Sequence, residues 1–219
     1  MKTQKATVFI VDDHPLVREW MTSLIRQQPD MTVCGEADTV EQALQMISNA
    51  EPDVAVVDLA LKDGFGLELI KDLKQTCPKV AVVVLSMHDE MLYAERTFRA
   101  GARGYVMKRE SSTRIIEAIR VVLNGRRYMS EQVAVAMADK LADGQQANVS
   151  PMSLLSDREL AVFDLLGQGK ESRHIAESLH ISIKTVQAFC ARIKGKLKLE
   201  TERELLREAV RWLESKHVD

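Results

Sequence analysis

The sequence has few cysteines, no long apolar run and almost no net charge, and each absence excludes a class of protein. Its three cysteines, Cys34, Cys77 and Cys190, are too few and too scattered for a disulfide framework and show no metal-binding spacing. No stretch approaches the roughly 18 consecutive apolar residues of a membrane span. Asp12 and Asp13 interrupt the apolar stretch near the N-terminus, so no secretory signal is expected. These features predict a soluble protein of a reducing cytoplasm.

The composition is that of an ordinary globular protein. Apolar residues make up 46% of the 219 residues and charged residues 28%, and this length suits one or two domains. The formal net charge of −2 predicts no general attraction to nucleic acid. Any affinity for nucleic acid must therefore come from a local concentration of positive charge.

Two apolar segments that end on carboxylates are the most informative feature of the first half. Residues 53–58 form a Val-rich run that ends at Asp58, and residues 7–11 precede Asp12 and Asp13. Short apolar runs between turn residues predict strands buried on both faces. Their carboxyl ends lie where open α/β sheets bind ligands. Three carboxylates there repel one another, and Mg²⁺ is the cation expected to relieve that repulsion.

Two further predicted strands end on groups that complement these carboxylates. Residues 81–85 precede a serine hydroxyl, and residues 104–107 precede a lysine amine. Polar residues are common at strand ends, so any one of them alone would carry little weight. Four strand ends with complementary groups, in order, indicate a phosphoryl-accepting site. Its members are Asp58 as nucleophile, Asp12 and Asp13 as metal ligands, Ser86 as hydrogen-bond donor and Lys108 as countercharge.

The order of the elements predicts the fold. Strands alternate with amphipathic helices up to residue 125, which implies a doubly wound parallel sheet of five strands in the order 2-1-3-4-5. One more helical segment, residues 129–142, precedes a polar stretch, residues 143–151, that is typical of an interdomain linker. From Leu154 onward the periodicity is helical only. A small all-α domain is therefore expected after the α/β domain.

This second domain carries the local positive charge that the whole chain lacks. Two predicted helices joined by a tight turn at residues 180–181 have the plan of a helix-turn-helix. No acidic residue stands between Glu177 and Glu200, and five basic residues do: Lys184, Arg192, Lys194, Lys196 and Lys198. A basic run can also be a solvated helix face, but here the charges surround an apolar stripe, which favours phosphate binding.

Residues 6–125 resemble the receiver domain of two-component response regulators, with the groups at positions 12, 13, 58, 86 and 108 in the family's places. Residues 100–108 look like the last loop and strand of that family. The resemblance implies a flavodoxin-like receiver whose Asp58 takes phosphate from a sensor histidine kinase with Mg²⁺. It adds the backbone carbonyl of Ala60 to the metal ligands and makes Ser86 and Tyr105 the pair that moves on phosphorylation.

Residues 154–215 are similar to the helix-turn-helix domain of the NarL/FixJ (LuxR-type) regulators, through stretches such as 155–159 and 184–186. The two resemblances together imply a receiver at residues 1–125, a linker helix and linker at 126–153, and a DNA-binding domain at 154–219. They imply a regulator of transcription rather than an enzyme. Phosphorylation would control homodimerisation and sequence-specific binding to double-stranded DNA.

The helix expected to read DNA departs from the family pattern. Gln187 and Phe189 stand where the family usually has Lys and His or Tyr. Gln can pair with adenine and Ala can contact a thymine methyl group, so the helix can still read sequence. Phosphate attraction must then come from the surrounding Lys and Arg. The expected DNA-binding residues are Lys184, Thr185, Gln187, Ala188, Ala191, Arg192 and Lys194.

Two other functions remain open from the sequence. A phosphohydrolase with an aspartyl nucleophile usually needs a second acid two residues after that nucleophile, and here that residue is Ala60. A receiver that acts through protein contacts alone is the other alternative, because the recognition helix has changed. Lys62 and Arg109 occupy positions where many receivers have Pro, but neither change removes a reactive group.

Overall fold

Five apolar segments pair as one parallel sheet in the computed structural model. The strands are β1 (Ala6–Val11), β2 (Met31–Ala37), β3 (Val54–Val57), β4 (Ala81–Ser86) and β5 (Gly104–Met107). Their order is β2-β1-β3-β4-β5, and every neighbouring pair is parallel. All residues of β3, β4 and β5 are buried, as expected for apolar strands covered on both faces. The α/β fold with strand order 2-1-3-4-5 is confirmed.

The structure describes residues 5–110, 112–142 and 151–214. They belong to two compact units, Met1–Gln145 and Gln146–Asp219, and each is described by itself. In the described parts of both units, no helix has the length and apolar character needed to cross a membrane.

Five helices connect and follow the strands of the first unit: α1 (Pro15–Arg26), α2 (Val40–Ala50), α3 (Gly66–Thr76), α4 (Glu90–Ala100) and α5 (Ser112–Leu123). Local sequence sets their starts, because Pro15 occupies the first turn of α1 and the Asp89 carboxylate accepts the Met91 N–H at 2.8 Å. Buried side chains of α1 and α5 join those of the strands in one core. The sheet is thereby fixed under the loops that carry the polar strand ends.

The residues after α5 belong to the first unit rather than standing apart from it. Tyr128 pairs with the edge of β5: its N–H donates to Arg103 O at 2.9 Å, and its carbonyl accepts the Tyr105 N–H at 3.1 Å. The next helix, α6 (Glu131–Ala142), packs against α4, and Val133 on it is buried. The segment that the sequence assigned to a linker thus begins as an extension of the sheet. Residues 143–150 of that assignment lie outside the described residues.

In its described residues, 151–214, the second unit contains helices and no strand, as predicted. After a 3₁₀ turn at Pro151–Leu154 come α7 (Asp157–Gly167), α8 (Ser172–Ser178), α9 (Ile183–Leu197) and α10 (Glu202–Glu214). α7 begins with a capping box in which Ser156 Oγ accepts the Glu159 N–H and Glu159 Oε2 accepts the Ser156 N–H. A side chain at Gly167 would lie 2.6 Å from Ala209 O, so glycine permits α7 and α10 to cross closely. α8 and α9 pack together across a turn in which His180 has a positive φ of 51°.

Candidate functional site

Asp58 lies at the carboxyl end of β3 and is 3% exposed. Its Oδ2 accepts a hydrogen bond from Lys108 Nζ at 2.6 Å, and the same amine lies 2.6 Å from Asp12 Oδ2. Its other oxygen, Oδ1, is buried and accepts no hydrogen bond within the described part of the chain. The strand ends that lie far apart in the sequence therefore meet in one pocket, and one carboxylate oxygen there is left with unused hydrogen-bonding capacity.

The loop after β1 supplies the other two carboxylates. Asp12 and Asp13 are buried, and His14 Nδ1 lies 3.2 Å from Asp12 Oδ1 and 2.6 Å from Asp13 Oδ1. Arg18 donates to the backbone carbonyl of Asp12 at 2.6 Å. The sequence reasoning did not identify His14 or Arg18. The direct adjacency of His14 to an acidic pair was the signal available for finding it.

The pocket shifts the pKa values of its charged groups. Burial raises the pKa of Asp58 to about 6, since the opposing effect of the Lys108 charge is not enough to offset it and the Asp12 charge adds to it. Burial alone would lower the pKa of Lys108, but the charges of Asp58 and Asp12 outweigh burial and raise it. The lysine therefore remains a cation, while the carboxylate carries an electrostatic cost that a further positive charge would reduce.

The donor set fits a hard divalent cation. Oxygen atoms of Asp12, Asp13 and Asp58 and a nitrogen of His14 all lie within 4.8 Å of one another. Carboxylates are the protein ligands that Mg²⁺ prefers, together with water and phosphate oxygens. Asp58 Oδ1, which has no hydrogen-bond partner among the residues that the structure describes, is the independent sign that the pocket suits a positive ligand. The Ala60 backbone lowers the Asp58 pKa, and the role of the Ala60 carbonyl as a metal ligand stays a prediction.

The loop after Asp58 is held by its neighbours. Gly66 donates its N–H to Leu59 O at 2.8 Å, and a side chain at this glycine would collide with the backbone carbonyl of Asp58. Asp63 accepts the N–H groups of Val40 at 2.7 Å and of Glu41 at 3.2 Å, at the start of α2. Lys62 forms an ion pair with Asp38. Lys62 is therefore bonded away from the carboxylates of the pocket.

Ser86 and Tyr105 lie on adjacent strands and are both buried. The Tyr105 hydroxyl donates to the backbone carbonyl of His88 at 2.8 Å, and His88 donates its N–H to Ser86 Oγ at 3.2 Å. Burial raises the pKa of Tyr105 well above its ordinary value. A hydrogen bond with Ser86 has the opposite effect on this pKa but does not offset burial. Tyr105 thus already points inward, and the loop backbone at His88 links the two predicted switch residues.

His88 was not singled out by sequence reasoning. Its ring lies 4.8 Å from the Tyr93 ring and 6.1 Å from the Phe65 ring. Burial, with a smaller effect of the Lys108 charge, lowers its pKa to about 4, so the imidazole is neutral at physiological pH. The three rings connect the loop after β4 to α4 and to the start of α3. A histidine two residues after a serine gives no indication in the sequence that its ring is buried against two others.

The helix expected to read DNA, α9, buries one face and exposes the other. Val186, Phe189, Cys190 and Ile193 are buried against α7 and α8. Five of the seven predicted DNA-binding residues are exposed: Lys184, Gln187, Ala188, Ala191 and Arg192. Thr185 and Lys194 are half-buried, and the Thr185 hydroxyl is bonded to Ser182 Oγ at 2.8 Å. The structure thus brings the predicted set onto one helix, with Thr185 serving the helix start.

Lys196, a basic residue of this helix, has a partner on α7. Lys196 Nζ lies 2.6 Å from Glu159 Oε2 and donates to Leu154 O at 3.1 Å. Although burial raises the pKa of Glu159, hydrogen bonds from Lys196 and from the Ser156 backbone outweigh burial and lower it. Lys196 therefore ties α9 to the start of α7. In the sequence, Lys196 counts among the charges that favour phosphate binding, but its amine is already paired with Glu159.

Comparison with known protein families matches both units. The model of the response regulator receiver domain matches residues 8–120, and that of the bacterial regulatory proteins of the luxR family matches residues 153–209. The chain is 32% identical to the oxygen regulatory protein NreC of Staphylococcus carnosus over 209 residues, which is 93% of this chain and 96% of NreC. It is 34% identical to the DNA-binding transcriptional activator DevR/DosR of Mycobacterium tuberculosis over 193 residues, 88% of each chain.

Solved structures give the same result. A two-component response regulator of the LuxR family from Aurantimonas sp. SI85-9A1 is 33% identical, with a TM-score of 0.59 over 64% of this chain and 99% of that one. The response regulator RcsB in complex with DNA is 25% identical, with a TM-score of 0.58 over 93% of this chain and 97% of that one. The receiver fold and the acidic pocket, with these matches, define a two-component response regulator. Within that class the chain belongs to the NarL/FixJ family, in which a LuxR-type helix-turn-helix follows the receiver.

Proposed function

We propose that Asp58 accepts a phosphoryl group from a sensor histidine kinase and that this controls dimerisation and sequence-specific DNA binding. The observation that carries the proposal is the position of Lys108 Nζ, 2.6 Å from both Asp58 and Asp12, beside a buried Asp58 oxygen that has no partner among the described residues. A structural ion pair needs no such unused acceptor. A phosphoacceptor needs a carboxylate oxygen free to attack.

In the proposed transfer, an oxygen of Asp58 forms a bond to phosphorus in line with the bond that breaks to the kinase histidine nitrogen or to a small phosphodonor. Asp12, Asp13 and Asp58 would hold Mg²⁺, which when bound neutralises phosphoryl and carboxylate charge. Lys108 stays protonated and stabilises the phosphoryl oxygens once they replace a carboxylate as its partner. No group in the pocket needs to give up a proton.

The new acyl phosphate adds roughly −1.5 to −2 charges at the end of β3. Ser86 lies at the end of the adjacent strand and can donate its hydroxyl to a phosphoryl oxygen. Its Oγ now accepts the N–H of His88, whose carbonyl holds Tyr105, so a movement of Ser86 is passed to this loop. We propose that the loop and α4, with α6 packed on it, form the two-state element that phosphorylation shifts.

The output is dimerisation and DNA binding by the second unit in the cytoplasm. RcsB, a structural relative 25% identical to this chain, is described as two dimers bound to two parallel DNAs. In this chain Leu206 on α10 is 46% exposed and Val210 is half-buried, and together they offer an apolar seam for a second copy. Sedimentation of the full chain with and without beryllofluoride tests this step: a monomer in both conditions would refute it.

The decisive experiment is phosphorylation of the Asp58→Asn variant by acetyl phosphate with Mg²⁺. Labelling should be abolished in Asp58→Asn and unchanged in Asp72→Asn, because Asp72 is an exposed residue of α3 outside the pocket. Removal of Mg²⁺ with EDTA should abolish labelling of the native chain. Labelling that survives in Asp58→Asn would sink the assignment of the phosphoacceptor.

A receiver that acts through protein contacts alone is the second candidate. The observation in its favour is the exposed centre of α9, where Ala188 and Ala191 carry no charge and Lys196 is bound to Glu159. A gel-shift series with genomic fragments separates the two functions. Binding to any fragment in the presence of excess competitor DNA supports the regulator, and failure of all fragments supports the protein-contact function.

A further inference from the structure

Arg192 is held by a neighbour on its own helix. The carbon at the centre of its guanidinium group lies 4.6 Å from the centroid of the Phe189 ring, and its Nε donates a long hydrogen bond, 3.4 Å, to Ala188 O. Residues three positions apart lie on the same side of a helix, which permits the stacking. Phe189 itself is only 9% exposed. The guanidinium therefore rests on a ring that the domain core fixes.

We propose that Phe189 is a positioning residue for DNA binding, because its ring holds the Arg192 guanidinium in the orientation that meets a DNA phosphate. This inference rests on the proposed DNA-binding function of α9. Phe189 has no polar atom and contacts no phosphate itself. Its effect on DNA is exerted through Arg192.

The surroundings explain why one oriented arginine matters here. Ala188 and Ala191 on the exposed side have no polar side chain, and Lys196 is bound to Glu159. Arg192 is the single guanidinium of α9, and a guanidinium binds phosphate through a planar pair of N–H donors. A freely rotating arginine would lose its freedom on binding. One already stacked on a ring loses less, so the same contact gives tighter binding.

The test compares the full chain, activated with beryllofluoride, with variants at these two positions. Affinity for a fluorescently labelled random-sequence duplex is measured across a salt series. Phe189→Leu keeps an apolar side chain but removes the ring, and it should weaken binding about two-fold to five-fold at every salt concentration. Its log–log salt slope should stay native, because the Arg192 charge is retained. Phe189→Tyr keeps the ring and should bind like the native chain.

Arg192 variants show whether the effect of Phe189 passes through the guanidinium. Arg192→Ala should flatten the salt slope by about 0.9, the value for one lost phosphate contact. In that background Phe189→Leu should cause no further loss of affinity. Arg192→Lys keeps the charge but not the planar group, so it should also bind less tightly than the native chain. This arm tests the proposal even where Phe189→Leu disturbs folding.

Three results overturn the inference. They are a native affinity for Arg192→Lys, a loss from Phe189→Leu that is equally large in the Arg192→Ala background, and a Phe189→Tyr variant as weak as Phe189→Leu. If Arg192→Ala and Lys184→Ala both leave affinity and salt slope unchanged, the result refutes more than the role of Phe189. DNA binding by α9, and with it the proposed function, would then be wrong.

Discussion

Two buried carboxylates, one in each unit, lie 2.6 Å from a lysine amine, and their surroundings shift their pKa values in opposite directions. Asp58 pairs with Lys108 in the receiver, and Glu159 pairs with Lys196 in the DNA-binding domain. The pKa of Asp58 is raised to about 6, whereas that of Glu159 is lowered. A contact between a carboxylate and a lysine amine is therefore electrostatically costly for the carboxylate of the receiver and stabilising for that of the DNA-binding domain.

The difference comes from the neighbours of each carboxylate. Glu159 Oε2 also accepts the Ser156 N–H at 2.7 Å, and the side chain of Lys196 is 40% exposed, so this amine remains hydrated. Asp58 has the Asp12 carboxylate close by and an oxygen without a partner among the described residues. Groups with perturbed pKa values and unused hydrogen-bonding capacity are typical of reactive sites, while satisfied groups are typical of structural ones. These differences distinguish the proposed phosphoacceptor from a structural ion pair.

The largest expected effect comes from removing the satisfied carboxylate. Glu159→Ala should destabilise the DNA-binding unit by about 3 kcal/mol, because it breaks the ion pair with Lys196 and the capping box with Ser156. Hydrogen exchange of the full chain, resolved by peptide, should show faster exchange in α7 and α9 and native exchange in the receiver strands. Glu177→Ala, which removes an exposed ion pair with Arg173, should cost less than about 1 kcal/mol. Equal effects of the two variants would contradict the structural role of Glu159.

Removal of the carboxylate charge in the receiver is expected to stabilise the protein rather than destabilise it. In EDTA at about pH 8, Asp58→Asn should stabilise the receiver by about 2–3 kcal/mol, because the native state no longer buries that charge. The folded pKa of about 6 exceeds the ordinary value of 3.8, so protonation favours the folded state. That contribution is fully present below the ordinary value and is lost as the pH rises through about 6. The advantage of the Asn variant should therefore shrink as the pH falls.

Thermal unfolding of the native chain and of Asp58→Asn, from below the folded pKa of about 6 up to about pH 8, measures the difference in stability. Addition of Mg²⁺ supplies the control. Added Mg²⁺ should raise the melting temperature of the native chain more than that of Asp58→Asn, because the variant lacks one ligand. Asp72→Asn should behave as the native chain does. A native chain that is more stable than Asp58→Asn at about pH 8 in EDTA would show that Lys108 fully offsets the buried charge.

Much of the receiver was predictable because its reactive groups follow apolar strands. The parallel order 2-1-3-4-5 puts the ends of β1, β3, β4 and β5 at one edge, so the chemistry of the residues at those ends is enough to indicate a site. The sequence did not show which side chains pair with one another at the carboxyl ends of these strands. That Lys108 would lie equally close to Asp58 and Asp12, and that His14 would lie beside Asp13, depends on rotamers that no spacing rule fixes.

The second unit shows the same limit more strongly. The starts of α7, α9 and α10 lie in local patterns of three or four residues: Ser156 with Glu159 and Thr201 with Glu204 form capping boxes, and Ser182 alone caps α9. The contact between Lys196 and Glu159 joins residues far apart in the sequence, and the stack of Arg192 on Phe189 depends on how deeply that ring is buried. Counting charges between residues 177 and 200 could not separate Lys196, which is paired with Glu159, from the other basic residues of α9. Likewise, the pairing of Tyr128 with β5 has no sequence signal.

A smaller effect is expected where α9 is proposed to read bases. Gln187 is exposed and is proposed to reach a base edge, so Gln187→Ala should cost roughly 1–3 kcal/mol on the preferred site and little on random DNA. Binding of the activated chain to both kinds of duplex at one salt concentration measures the ratio. An unchanged specific-to-random ratio would mean that Gln187 faces solvent in the complex and that another residue carries the specificity.

The smallest effect tests whether Lys196, which is paired with Glu159, differs from Lys184 at the other end of the same helix. Lys184 is exposed at the start of α9 and is proposed to meet a phosphate, so Lys184→Ala should flatten the log–log salt slope by about 0.9 and weaken all sequences alike. Lys196→Ala removes the same charge from the other end of the helix. It should leave the slope nearly native, because Lys196 Nζ is already bonded to Glu159 and Leu154 O. Its cost should appear as lower stability of the DNA-binding unit. If Lys196→Ala flattens the slope as much as Lys184→Ala does, the ion pair opens on DNA, and Glu159 is then a competitor of phosphate rather than a structural clamp.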